Sequence, residues 1–223
     1  MRLGCALGLA ALMSGCGGPL STLDPAGRSA AIIAALWWVL LAGATAIFVG
    51  VLAAAVFALR PERPGRGLSE RAMLVGGGVV FPVVVLLALT VAALLVGERL
   101  RLDEESEPLR VEVVAERWGW TFAYPDRPDL APVEGVLTVP AGQPFEAVVT
   151  SRDVIHSFWV PRLGGKVDAI PGHANTIRLQ ADAPGTYAGR CAEYCGIGHA
   201  GMGFEVRALA PDDFEAALAE SAR

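Results

Sequence analysis

Cys191-Ala-Glu-Tyr-Cys195-Gly-Ile-Gly-His199-Ala-Gly-Met202 is the stretch that decides how this chain is read. Two thiols, an imidazole and a thioether fall within twelve residues. That donor set favours a soft or borderline metal, copper above all, over calcium or magnesium. Glycines at 196, 198, 201 and 203 let the backbone curl closely around it. A mononuclear blue-copper site uses one cysteine, two histidines and an axial methionine. The second cysteine here allows both sulfurs to bridge two metals. Spacing alone leaves two alternatives open: Cys-x-x-x-Cys can close a disulfide outside the cytoplasm, and two Cys with two His can hold a tetrahedral zinc.

A second histidine has to come from elsewhere, and the chain holds only His156, His173 and His199. His156 lies in Asp153-Val-Ile-His-Ser-Phe-Trp159, read as the end of a strand among apolar residues, and is the better candidate. His173 follows Pro171-Gly172 and reads as a solvated turn residue.

Outward from this site, residues 110–209 read as short strands. Arg110-Val-Glu-Val-Val, Glu134-Gly-Val-Leu-Thr-Val, Phe145-Glu-Ala-Val-Val-Thr, Thr176-Ile-Arg-Leu-Gln and Phe204-Glu-Val-Arg are punctuated by Pro and Gly at short intervals. The pattern suggests an antiparallel sandwich or barrel. Residues 211–223 read as a C-terminal helix and tail, with Pro211 near its start.

The region before about residue 97 is different in kind. The chain is 53% hydrophobic and 18% charged, and the apolar excess is concentrated there. Residues 1–15 resemble a signal peptide, with Arg2 ahead of a short apolar run. Leu12-Met-Ser-Gly-Cys16 resembles a bacterial lipoprotein cleavage site, which makes Cys16 a candidate for acylation. Residues 30–59 and 72–97 carry no charge, and each is long enough to span a bilayer. Trp37 and Trp38 suit the interface, and Pro82 is expected to kink the second span. Four arginines occupy the loop 60–71 between the spans, placing it in the cytoplasm and both ends of the hairpin outside.

From Glu98 to Arg223 there are 20 acidic and 12 basic residues. An acidic surface argues against nucleic acid and suits a basic protein partner. No Cys-x-x-Cys-His occurs, so no c-type haem is attached.

The whole pattern resembles subunit II of haem–copper cytochrome c oxidases. The resemblance rests on Asp153 to Pro161, Gly164-Gly-Lys-Val-Asp-Ala-Ile-Pro-Gly172, Pro184-Gly-Thr-Tyr187, Cys191 to Gly196 and the hairpin ahead of them, and covers about residues 20–210. It implies an α+β membrane protein of the bacterial inner membrane: a two-helix transmembrane hairpin followed by a periplasmic, cupredoxin-like Greek-key β-barrel. It implies two copper ions bridged by Cys191 and Cys195, one also held by His156 and Met202, the other by His199 and the Glu193 carbonyl. The Glu193 carboxylate is implied to face subunit I and share a magnesium or manganese ion with it. Trp118, in Trp118-Gly-Trp-Thr-Phe-Ala-Tyr124, is implied to admit electrons from cytochrome c, with Trp120 in the core and Asp168, Asp126 and Asp129 as docking acids. Subunits I and III and membrane lipid are the further partners. Glu70 is a candidate for a proton-path entrance, although it stands about five residues earlier than the family's glutamate. Rival readings are a quinol oxidase subunit without copper, a soluble nitrous oxide reductase with a similar copper domain, and a lipoprotein copper carrier.

Overall fold

The computed structural model describes residues 16–59, 69–100 and 108–221. The signal-peptide residues 1–15 and most of the loop 60–71 lie outside them. The chain forms two units, residues 1–34 with 102–223, and residues 35–101.

Helix α1 spans Arg28–Ala58 and helix α2 spans Glu70–Leu100, 31 residues each. At about 1.5 Å per residue either exceeds the roughly 30 Å of bilayer hydrocarbon. Ser69 caps α2, its hydroxyl accepting from the Ala72 N–H. The expected disturbance at Pro82 takes the form of a π-helical stretch, Met73–Val80, which ends where the Phe81 N–H donates to the Gly76 carbonyl. A proline ring crowds the carbonyl four residues back. Wider turns carry that carbonyl off the ring, and Gly76, Gly77 and Gly78 present no side chains to resist them.

The β-domain holds ten strands: β1 Leu109–Glu116, β2 Gly119–Ala123, β3 Val133–Glu134, β4 Val136–Pro140, β5 Pro144–Ser151, β6 His156–Trp159, β7 Lys166–Ala169, β8 Asn175–Gln180, β9 Gly185–Cys191 and β10 Gly203–Leu209. Helix α3, Pro211–Ser221, follows. The strands form two five-stranded sheets, β3-β2-β1-β5-β8 and β4-β10-β9-β6-β7. The expected all-antiparallel pairing is corrected here: β1 runs parallel to β5, and β4 parallel to β10. In both cases the chain visits the other sheet between the two neighbours, so no hairpin joins them.

Alternation directs one face of each strand inward. Val111, Val113 and Ala115 of β1 and Phe145, Ala147 and Val149 of β5 meet Leu137, Val139, Val206 and Ala208 of the other sheet in one core. At its end nearest β6 the core is aromatic. Phe158 stacks on Phe204 at 4.8 Å, and Trp120 packs on both. Gly189 makes room for this, since a Cβ there would stand 2.1 Å from the Phe204 ring.

A segment unmarked by the sequence reading joins this domain. The Ala26 N–H donates to Arg162 at 2.7 Å and its carbonyl accepts from Asp182 at 2.9 Å. Asp24 pairs with Arg162 at 3.1 Å. Gly27 fits because a Cβ would meet the Gln180 carbonyl at 2.3 Å. The residues before α1 thus extend the β-domain.

Candidate metal centre

Strand pairing builds the site. β6 lies between β7 and β9, with His156 opposite Ala169 and Phe158 opposite Cys191. His156 therefore begins β6; the sequence reading had it ending a strand. The chain leaves β9 at Cys191, turns back through Gly196 at a φ of +120°, and closes on itself. His199 N–H donates to Gly196 O, Met202 N–H to His199 O, and Cys191 N–H to Met202 O, at 2.9–3.1 Å. Only glycine adopts the Gly196 conformation without strain. The Ala192 N–H donates to Ser157 O at 2.9 Å, holding the loop against β6.

This closure gathers all six donors. Cys191 Sγ lies 3.8 Å from His156 Nδ1 and 3.2 Å from the Glu193 carbonyl. Cys195 Sγ lies 3.7 Å from His199 Nδ1 and 3.7 Å from Met202 Sδ. The two sulfurs are 3.9 Å apart and both thiols are free. A disulfide needs about 2.05 Å, so that alternative is not formed. Bonds of about 2.0–2.3 Å put neighbouring donors of one tetrahedral metal about 3.3–3.8 Å apart. The observed separations span that range, so the residues fit a soft metal. His156, Cys191 and Cys195 offer donors all within 4.8 Å of one another, and His199 stands outside that group. A single tetrahedral zinc would require all four together.

His156, Met202 and both cysteines are buried. Burial, and after it the neighbouring Cys191, push the Cys195 thiol up to about 11. Arg190 donates to the Ala200 carbonyl and ties β9 to the short turn that carries His199.

The sequence reading missed the residue that orients His156. Asp153 Oδ1 lies 2.9 Å from His156 Nε2. A carboxylate has no proton to give, so Nε2 donates, leaving the Nδ1 lone pair toward Cys191. Asp153 also accepts from the Val154 N–H, and through Oδ2 from both the N–H and Nε of Arg117, at 2.7–3.0 Å. Desolvation would raise its pKa, but these bonds outweigh it and hold the carboxyl well below the usual carboxylate range. The signal was present in the quoted segment, an acid three residues before a candidate ligand.

Trp118 lies on the metal loop, where a Cβ at Gly198 would stand 2.4 Å from its ring. Trp120 is buried, edge-on to His156 with ring centres 6.2 Å apart. Its indole N–H has no partner among the described residues. Asp168 is on β7, one strand from His156 and opposite Ser157. Asp126 and Asp129 are elsewhere. β2 runs back along β1, from Glu116 opposite Gly119 to Glu112 opposite Ala123, so residues 124–129 lie near the start of β1. Asp126 lines a groove with Leu109, Arg110 and Pro211, and Asp129 is bound to Arg127. Trp118, after the other end of β1, is about 20 Å of strand away, which removes both acids from its surroundings. The exposed Glu193 carboxylate accepts from the Tyr194 N–H. His173 is exposed, Cys16 is a free thiol, and Glu70 opens α2 in the other unit.

Comparison with known proteins finds one matching family and several similar chains. Residues 128–209 match the family described as cytochrome c oxidase subunit II, periplasmic domain. Cytochrome c oxidase subunit 2 of Alkalihalophilus pseudofirmus is 35% identical over 143 residues, 61% of this chain and 41% of that protein. Ubiquinol oxidase subunit 2 of Acetobacter aceti is 38% identical over 117 residues, 52% of this chain and 38% of that protein. The match therefore spans well under two thirds of either relative. Among solved structures, the periplasmic domain of subunit II of cytochrome oxidase of Bradyrhizobium japonicum is 28% identical, with a TM-score of 0.50 over 52% of this chain and 94% of that one.

Proposed function

We propose that the chain, whose residues 128–209 match the family of cytochrome c oxidase subunit II periplasmic domains, is the electron-accepting subunit II of a haem–copper oxidase. It takes electrons singly from cytochrome c and passes them to haem in subunit I, where dioxygen is reduced to water and protons are pumped. Cys191, Cys195, His156, Met202, His199 and the Glu193 carbonyl would hold two copper ions, which when bound would supply a one-electron store.

One observation carries the two-metal reading. Each sulfur touches one donor of each inferred set: Cys191 touches His156 and the Glu193 carbonyl, and Cys195 touches Met202 and His199. A thiolate between two metals must do so. The hydrogen-bonded loop fixes the donors, and burial of His156, Cys191, Cys195 and Met202 keeps water from them, so little rearranges when the charge changes. Asp153 holds the His156 proton on Nε2. Trp118, half-exposed and lying on the loop, is where electrons arrive. Glu193 offers its carbonyl inward and its carboxylate outward, toward a magnesium or manganese ion whose remaining ligands belong to subunit I.

The same reading makes this an inner-membrane protein with α1 and α2 as spans, its β-domain periplasmic and the loop 60–71 cytoplasmic. Subunit III as a further partner, acylation of Cys16 and a proton-path role for Glu70 are parts of the proposal that rest on sequence resemblance alone. Quinol oxidase relatives favour a second reading, in which the donor is a quinol and copper is dispensable. Copper separates the two. The full-length chain in detergent should take up two coppers and give a paramagnetic signal whose hyperfine pattern spans both nuclei. One zinc per chain, or no uptake, rejects the proposal.

A further inference from the structure

The residues around the metal loop describe the donor as well as the site. Ile197, between Cys195 and His199, is 92% exposed. Ile155, next to His156, is 46% exposed, and Trp118 is 44% exposed. Contacts join the three into one surface. The Trp118 ring lies against Gly196 and Gly198, the two neighbours of Ile197. Arg117, beside Trp118, bonds Asp153, two residues before Ile155. An isoleucine left almost wholly in water beside a metal ligand is a contact surface awaiting a partner.

The charges bordering this surface are spent on each other. Arg117 Nε holds Asp153 Oδ2 at 2.9 Å, and Arg152 holds Glu116 at 3.2 Å. Both oxygens of Asp153, the carboxylate nearest the ligands, are occupied from within the chain. Asp126 and Asp129 belong to the other end of β1, and Asp129 is itself paired. The acids that remain in the neighbourhood are Asp168 on β7, Glu134, which lines with Trp118 an open hollow of about 470 Å³, and Glu193 on the loop, whose carboxylate is assigned above to the subunit I face. A lysine-rich donor face would find two arginines here and few free carboxylates.

Building on the electron-accepting role argued above, we propose that the Trp118–Ile155–Ile197 surface docks a redox protein whose haem edge is ringed by apolar, uncharged residues, and that association depends on apolar contact with little electrostatic steering. The net acidity of the β-domain then keeps that domain solvated and does not select the donor. Charge pairs at the rim set orientation, and the isoleucines and the indole supply the buried centre.

The test uses the copper-loaded full-length chain in detergent, reduced in a stopped-flow instrument by two soluble c-type cytochromes. One has a lysine-rich haem-edge face, the other an uncharged one. Between ionic strengths of about 0.01 M and about 0.15 M, where the screening length shrinks from about 30 to about 8 Å, the rate with the uncharged cytochrome should change less than about threefold and exceed that with the lysine-rich one. Ile197→Asp should slow it by about tenfold or more, whereas Asp168→Asn and Glu134→Gln should have effects of less than about twofold. Reduction by dithionite should be the same in every variant. A faster, steeply salt-dependent reaction with the lysine-rich cytochrome, or Ile197→Asp without effect, overturns the docking proposal and leaves the copper reading standing. A chain that takes up no copper removes both.

Discussion

Two arginine–aspartate pairs stand at opposite ends of the same hairpin, and they do different things. Arg117–Asp153, past the turn end of β1, is 2.9 Å long, joins residues 36 apart in sequence and reaches a fully buried histidine. Arg127–Asp129, near the start of β1, is 3.1 Å long and joins residues two apart in solvent. Their chemistry and separation are nearly the same. The difference lies in what the carboxylate also holds. Asp153 satisfies two backbone N–H groups and fixes the tautomer of a metal ligand, so its loss propagates. Asp129 holds only Arg127, which also reaches Glu215. An ion pair takes its value from its surroundings.

The comparison breaks most severely at the metal itself. Cys191→Ser removes a bridging donor, and no paired-copper signal should survive in paramagnetic resonance, although the apo-protein should keep its β-sheet circular dichroism. Asp153→Asn comes next. An amide cannot serve the same donors, and copper affinity measured by chelator competition should fall by about 10–100-fold. If Asp153→Asn binds copper as the parent does, the carboxylate does not orient His156.

Protons sharpen the same contrast. Cys195 retains its proton up to about pH 11 in the metal-free protein, and binding must displace it. Copper affinity should therefore climb with pH through the neutral range, by about tenfold per unit for this one thiol. Asp153 works in the opposite direction. Its pKa is depressed on folding, so the stability it contributes is complete above the unfolded pKa of about 3.9 and is lost as pH falls toward the folded value. Acid unfolding followed by tryptophan fluorescence should begin below about pH 4 and be flatter in Asp153→Asn.

Smaller effects follow. Gly198→Ala drives a methyl into the Trp118 ring and should destabilise by about 1–3 kcal/mol, with a shifted Trp118 emission. Gly201→Ala, in open space, should not shift it. Asp129→Asn should leave copper affinity and thermal midpoint unchanged. A loss of copper there would mean the two ends of the hairpin are coupled.

Much of this was legible in the chain. The helices Arg28–Ala58 and Glu70–Leu100 end within a few residues of the uncharged runs 30–59 and 72–97, because an unbroken apolar run free of charge is a strong local signal. The candidate loop donors Cys191, Cys195, His199 and Met202 were legible as a group because they sit within one short segment. β2, β6, β7 and β9 were harder: they are only four to seven residues long, and β6 is buried at three successive positions, which hides any alternation. The parallel pairs, the segment around Ala26 that clasps Arg162 and Asp182, and the π-helical stretch before Pro82 left no mark that periodicity detects.

Candidate donors, two long apolar helices and a β-rich domain were legible in side-chain chemistry and spacing, which act locally and survive in the linear chain. Which carboxylate serves a ligand and which serves only the surface depended on folding. Asp153 meets Arg117 because β1 and β5 pair in parallel, and Asp126 and Asp129 are carried away from Trp118 because β2 doubles back along β1. Those are distances between residues far apart in sequence, set by strand register, and register is a property of the packed sheets.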